Sequence, residues 1–163
     1  MNRIFRIALL IVIITQTQLP AQNFIYGKVV AITDGDTFKL LTKDSTLIRV
    51  RVANIDCPES KQPFSQRAKQ FTSSAVFDKQ VEIKIIKNDR YGRAIAYVLY
   101  NDKNLSEELL KAGLAWHFVK YSNDESLQSL EDKAKQDKIG LWIDSKAMAP
   151  WEWRSSKKKK KKE

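Results

Sequence analysis

Carboxylates and arginines gather at three places in this chain. Asp34-Gly35-Asp36-Thr37 lies between two β-rich runs. Ala53-Asn54-Ile55-Asp56-Cys57-Pro58-Glu59-Ser60 follows a strictly alternating stretch, and Asp89-Arg90-Tyr91-Gly92-Arg93 joins two further β-rich runs. Pro58 fixes one backbone dihedral and pushes Cys57 toward an extended conformation, so Asp56 and Glu59 are held on a stiff loop just past a strand. Asp36 sits where the next strand begins. Two aspartates from separate turns, with a backbone carbonyl and water, make the oxygen-rich set that a hard cation such as calcium accepts. Arg51 and Arg93 each offer a fork that grips two phosphate oxygens and stays charged at any relevant pH. Two forks, a divalent cation and a carboxylate suit attack on a phosphodiester. The cation and guanidinium groups offset charge developing at phosphorus, and the carboxylate orients or deprotonates water.

Each feature also has a plainer reading. Asp-Gly is a favoured hairpin turn that needs no function. Asp56 and Glu59 could be ordinary exposed acids of a surface turn, and each arginine a solvated strand residue, the reading preferred for Arg49. Cys57 is the one cysteine and His117 the one histidine, and a Cys/His hydrolase would need them to meet. Neither carries a signature around it, so His117 is expected to make a structural hydrogen bond instead.

The elements that would position these groups are legible as periodicity. Residues 24–32 and 37–41 are β-rich, and 47–53 alternate with Ile48, Val50 and Val52 on one face and Leu47, Arg49, Arg51 and Ala53 on the other. Residues 81–86 and 93–100 read as two further strands, joined by a turn over 88–92. Helical spacing follows Pro63 at Phe64, Ala68, Phe71 and Ala75. A second helix is expected from about Asn104 to Ala112, stopped by Gly113, and a third from about Glu125 to Lys138, ending at Gly140. Roughly five short strands and three helices fit an α+β domain built as a small barrel with helices packed around it. An OB-type barrel is one candidate, and periodicity alone does not separate it from other α+β folds. Trp142, Trp151 and Trp153 are placed to pack the C-terminal segment onto the domain, and stacking on a base is the alternative.

A chain of 163 residues fits one domain with a buried core. Arg3 and Arg6 precede an apolar run over 7–14, then polar residues and Leu19-Pro20-Ala21, the pattern of a signal peptide over 1–21. The run is short for a membrane span. A secreted or periplasmic protein is expected, with an uncleaved anchor as the alternative. A single cysteine allows no internal disulfide, so packing must supply the stability. The net charge is +10; Arg3 and Arg6 supply two of those charges and residues 157–163 supply five, leaving three for residues 22–156. The domain is thus expected over 22–154. A self-repelling lysine-rich tail over 155–163 is expected to be disordered and able to hold polyanions.

Taken together, Asp34-Gly35-Asp36-Thr37, the stretch from Arg51 to Glu59, and Asp89 to Arg93 resemble the thermonuclease, or staphylococcal-nuclease-like, family. The resemblance runs in order from about Tyr26 to Trp142 and extends more weakly to Ala149-Pro150-Trp151-Glu152-Trp153-Arg154. It implies a five-stranded OB-type barrel with three helices. It implies that Glu59 orients or deprotonates water while Arg51 and Arg93 stabilise the phosphate. Asp36 and Asp56 would hold calcium by their side chains and Cys57 by its backbone carbonyl, and Arg90 and Tyr91 would contact a terminal phosphate and nucleotide. The implied activity is cleavage of DNA and RNA with little sequence preference, leaving 3′-phosphorylated ends. The chain departs from the family at Cys57, where threonine or alanine is usual, and at Val119, where a pocket tyrosine is found in the best-known member. The loop after Glu59 is also shorter. A monomer is expected, and the rival reading is a non-catalytic nucleic-acid or protein-binding module on the same barrel.

Overall fold

A computed structural model of the chain describes residues 24–160. The expected signal peptide over 1–21 lies outside the described residues. The chain opens with β1 (Phe24–Ile32), β2 (Thr37–Thr42), β3 (Leu47–Val52) and the short β4 (Ile55–Asp56). Helix α1 (Ser65–Val76) leads to β5 (Gln80–Asn88) and β6 (Ala94–Tyr100). The pieces β7 (Lys103–Asn104) and β8 (Trp116–His117) flank α2 (Leu105–Lys111). Then come α3 (Glu125–Gln136), a 3-10 turn over Gly140–Ile143 and α4 (Pro150–Lys160).

The strands close on themselves. β1 pairs antiparallel with β2 and β5, β2 with β3, and β5 with β6. The parallel pairing of β3 with β6, Arg51 opposite Ile95, shuts the five-stranded barrel. Closure removes the open edges that a flat sheet would leave. Inside it Val29, Phe38, Leu40, Val50, Val52, Ile83, Ala96 and Val98 are buried, and α1 and α2 add Ala68, Val76, Leu105, Leu109 and Leu110. The alternation of β3 holds: Val50 and Val52 are buried while Leu47 and Arg49 are exposed.

The helices differ from expectation in three respects. The buried stripe of α1 is Ser65, Ala68, Thr72 and Val76, one position out of step with the expected Phe64, Phe71 and Ala75. Phe64 itself precedes the helix in a left-handed conformation, φ 66°. The reason is polar: Thr72 Oγ1 donates to the Gly35 carbonyl at 2.5 Å, so the helix turns a hydroxyl toward the β1–β2 turn. A fourth helix, α4, is present beyond the three expected. The lysine-rich end, expected to be disordered over 155–163, is helical as far as Lys160, and residues 161–163 lie outside the described ones.

Helix ends follow the sequence signals more closely. Asn104 and Asp124 cap α2 and α3 by accepting backbone N–H groups. Gly113 lies at φ 61°, where a Cβ would meet the Ile139 carbonyl oxygen at 2.2 Å, so glycine is required there twice over.

Candidate nuclease active site

The barrel register brings the β1–β2 turn beside the end of β3. Thr37 pairs with Arg51, and the Val52 N–H donates to the Asp36 carbonyl at 2.8 Å. The turn packs tightly under this point: a Cβ on Gly35 would meet Ala68 Cβ at 2.7 Å and Cys57 Sγ at 3.0 Å. Gly35 is therefore required by close approach of two neighbours. Ser106 Oγ on α2 donates to the Ala53 carbonyl at 2.9 Å, and β4 pairs Asp56 with Trp116, so the loop beyond β3 is fastened from both sides.

Arg51 lies between the two aspartates. Its Nη2 donates to Asp56 Oδ1 at 2.7 Å and to the Ile55 carbonyl at 3.3 Å. Its Nη1 is buried in ion-pair contact with Asp36 Oδ1. Asp36 Oδ2 accepts the Cys57 N–H at 2.6 Å, and Oδ1 accepts Thr37 Oγ1 at 3.2 Å. The side chains of Arg51, Asp36 and Asp56 are 12%, 7% and 2% exposed. Glu59, half-exposed, sits on the same loop, where its N–H donates to Gln62 Oε1 at 2.9 Å. Gln62 Nε2 in turn donates to the Met148 carbonyl at 2.5 Å.

A residue that sequence reasoning gave no role completes this cluster. Arg154, on α4, donates from Nη1 to Glu59 Oε1 at 2.5 Å and from Nη2 to Asp56 Oδ2 at 2.7 Å. Burial disfavours its charge, but its hydrogen bonds to Asp56 and Glu59 outweigh that and raise its pKa. The one signal for it was its place in the aromatic-rich ending. Asp34 also belongs here. It accepts the Asp36 N–H at 3.1 Å, and burial raises its pKa against the opposing pull of Arg51 and Arg93.

Arg93 stands beside this group without touching it. Its Nε donates to Asp89 Oδ2 at 2.8 Å, and its Nη2 is in ion-pair contact with the same oxygen at 2.8 Å. Asp89 Oδ1 accepts the backbone N–H groups of Tyr91 and Arg93, which ties the turn into a rigid bracket. Burial pushes the Asp89 carboxyl up, but these bonds from Arg93 and Tyr91 prevail and hold it below its ordinary value. The Arg93 and Arg90 guanidinium groups lie 5.6 Å and 4.9 Å from the centre of the exposed Tyr91 ring, and Arg90 Nη2 donates to Tyr91 Oη at 2.7 Å. Arg90 and Tyr91 are both exposed at this turn.

Cys57 and His117 do not form a catalytic pair. Cys57 is buried, and desolvation drives its thiol pKa far upward, which disfavours the nucleophilic thiolate. The His117 ring Nδ1 lies 3.0 Å from Gln128 Oε1, the structural bond expected of it. Val119 is exposed.

This barrel, with its arginine between two buried aspartates, has known relatives. The staphylococcal nuclease homologue family profile matches residues 49–144. The chain belongs to that family. An uncharacterized endonuclease of Haemophilus influenzae is 40% identical over 131 residues, covering 80% of this chain and 74% of the relative. A second, from Escherichia coli O157:H7, is 37% identical over 134 residues, covering 82% and 87%. A micrococcal nuclease of Shigella flexneri is 35% identical over 151 residues, covering 86% of each chain. For this nuclease-family chain the matched segment spans Arg51, Asp56, Glu59 and Arg93; Asp36 and Arg154 lie outside it.

Among the described residues, no group of three or more His, Cys, Asp or Glu side chains is arranged to hold a metal ion by itself. The oxygens present nevertheless suit a hard divalent cation. Asp36, Asp56 and Glu59 are carboxylates beside only two guanidinium groups, and Asp34 adds a further acid behind them. The surplus charge is negative, and the donors are oxygens.

Proposed function

We propose that this chain is a secreted or periplasmic, calcium-dependent endonuclease that hydrolyses phosphodiester bonds in DNA and RNA with little sequence preference. The observation that carries the reading is the Arg51 guanidinium held between the buried carboxylates of Asp36 and Asp56, with Glu59 on the adjoining loop: a fork of the kind that grips phosphate oxygens, beside oxygen donors. Asp36, Asp56 and the Cys57 carbonyl would hold the cation, which supplies electrostatic stabilisation of charge developing on the phosphate. Glu59 lies on the same loop, where its carboxylate orients or deprotonates the attacking water. Arg51 and Arg93 bind the phosphate, Arg93 held ready by Asp89. Arg90 and Tyr91, exposed on the same turn, meet the adjacent phosphate and nucleotide. The basic start and apolar run of residues 1–21 support export.

The test is digestion of single-stranded DNA and of RNA by the purified chain, with calcium or with excess chelator. Cleavage that stops with chelator and returns with calcium is expected. No chelator-sensitive cleavage between pH 6 and 10 would sink the reading and favour a non-catalytic binding module.

A further inference from the structure

Both oxygens of Asp56 are taken. Oδ1 accepts Arg51 Nη2 at 2.7 Å and lies 3.4 Å from Arg154 Nη1, while Oδ2 accepts Arg154 Nη2 at 2.7 Å. Glu59 Oε1 is also taken by Arg154. A cation approaching Asp56 therefore meets two guanidinium groups that compete with it for the carboxylate. Arg51 is the harder to move: its side chain is 12% exposed and it is braced by Asp36, Asp56 and the Ile55 carbonyl. Arg154 is 38% exposed, and among the described residues its hydrogen bonds and ion pairs go to the two acids alone.

Its position is nonetheless fixed by packing. One turn earlier on α4, Trp151 stacks on Phe118 with ring centres 5.2 Å apart and planes 3° from parallel. The Phe118 N–H donates to the Asn54 carbonyl at 2.8 Å, which fastens that stack to the loop carrying Asp56 and Glu59. Gln62 binds the Met148 carbonyl just before the helix begins. The C-terminal helix is thus seated where its arginine reaches the acids.

We infer that Arg154 is a built-in competitor for the divalent cation: its guanidinium neutralises Asp56 and Glu59 in the free protein and leaves them when the cation binds. The inference rests on the cation-dependent reading above. A guanidinium and a cation placed on the same carboxylate oxygens repel each other and compete for the same lone pairs. Until Arg154 leaves, Glu59 is engaged as an acceptor and is a poorer partner for water. The helix therefore acts on the centre without belonging to the barrel.

Calcium binding by isothermal calorimetry, on the full chain without substrate, tests this. Arg154→Gln should bind calcium about tenfold more tightly than the parent, a change of about 1.4 kcal/mol. Lys157→Gln removes the same charge one turn further along α4 without touching the acids, and should change affinity less than about twofold. Arg154→Lys keeps the charge but not the fork, and should fall between. It also serves if Arg154→Gln does not fold. Equal or weaker calcium binding by the Arg154 variants, or an equal gain in Lys157→Gln, overturns the inference. So does an absence of calcium binding throughout, while the digestion assay decides the nuclease reading separately.

Discussion

Replacing Arg51 by glutamine should unfold the protein's centre before it affects anything else. The substitution leaves Asp36 and Asp56, 7% and 2% exposed, side by side with no guanidinium between them. Removing one partner of a buried ion pair costs about 3–5 kcal/mol, because the remaining charge stays desolvated. Two aspartates share the loss here, and Arg154 still compensates Asp56, so the lower half of that range applies, about 3–4 kcal/mol. For a domain of this length each kcal/mol moves Tm by roughly 4 °C, so Arg51→Gln should melt on the order of 12–16 °C lower in chelator. Calcium should then restore more stability to the variant than to the parent, because Asp36 Oδ1 and Asp56 Oδ1 are freed. A protein gains about 2.7 kcal/mol at a hundredfold excess over its Kd, so a variant that binds calcium about tenfold more tightly than the parent recovers about 1.4 kcal/mol of the gap. Thermal unfolding with chelator and with calcium reads both effects. A variant within about 2 °C of the parent in chelator, or a calcium gain no larger than the parent's, would refute the reasoning.

Other outcomes follow from the same geometry. Arg93→Lys should lower turnover about 10²- to 10³-fold with little change in Tm, since a point charge cannot replace a fork that Asp89 already aligns; near-normal turnover removes Arg93 from the chemistry. Cys57→Thr should remain folded and active, because threonine is close to cysteine in size for the packing beneath Gly35 and the backbone N–H that Asp36 accepts is kept. The parent thiol should resist Ellman's reagent at pH 8 until the chain is unfolded, and rapid native labelling would contradict its burial. Asp89→Asn should cost a few tenths to about 1 kcal/mol at neutral pH. The Asp89 pKa is depressed in the fold, so that stability is present above the ordinary carboxylate pKa near 4 and is lost as pH falls through the folded value. Denaturant titrations should therefore show the full difference from the parent at pH 7 and a shrinking one as pH is lowered below about 4.

Much of this centre was legible before any coordinates, for reasons particular residues make clear. The alternation of β3 placed Arg51 off the core face, and Pro58 marked the stiff loop that carries Asp56 and Glu59. The Asp-Gly turn and the Asp89–Arg93 turn were visible as breaks between strands. Periodicity could not supply the closure of the barrel, because the parallel β3–β6 pairing joins segments separated by α1 and β5. Nor could it show that α1 turns Thr72 inward, since a buried hydroxyl depends on the Gly35 carbonyl arriving opposite it. Arg154 was the larger omission. Its partners lie 95 and 98 residues away, and its own neighbourhood is dominated by tryptophans and lysines that suggest packing and charge instead of a site. The lysine run is similar: self-repulsion argues for disorder, yet Trp151 stacks on Phe118 and seats the helix that continues as far as Lys160.

The central claim is that Glu59 handles the attacking water, and the most direct measurement is the turnover of Glu59→Gln on single-stranded DNA in saturating calcium. The amide keeps the side chain's size and leaves its N–H bond to Gln62 in place, so the melting temperature should stay close to the parent's. The account predicts a loss of about 10²- to 10⁴-fold in turnover, the range for removing a positioned general base. A folded Glu59→Gln protein that cleaves within a few-fold of the parent would contradict it.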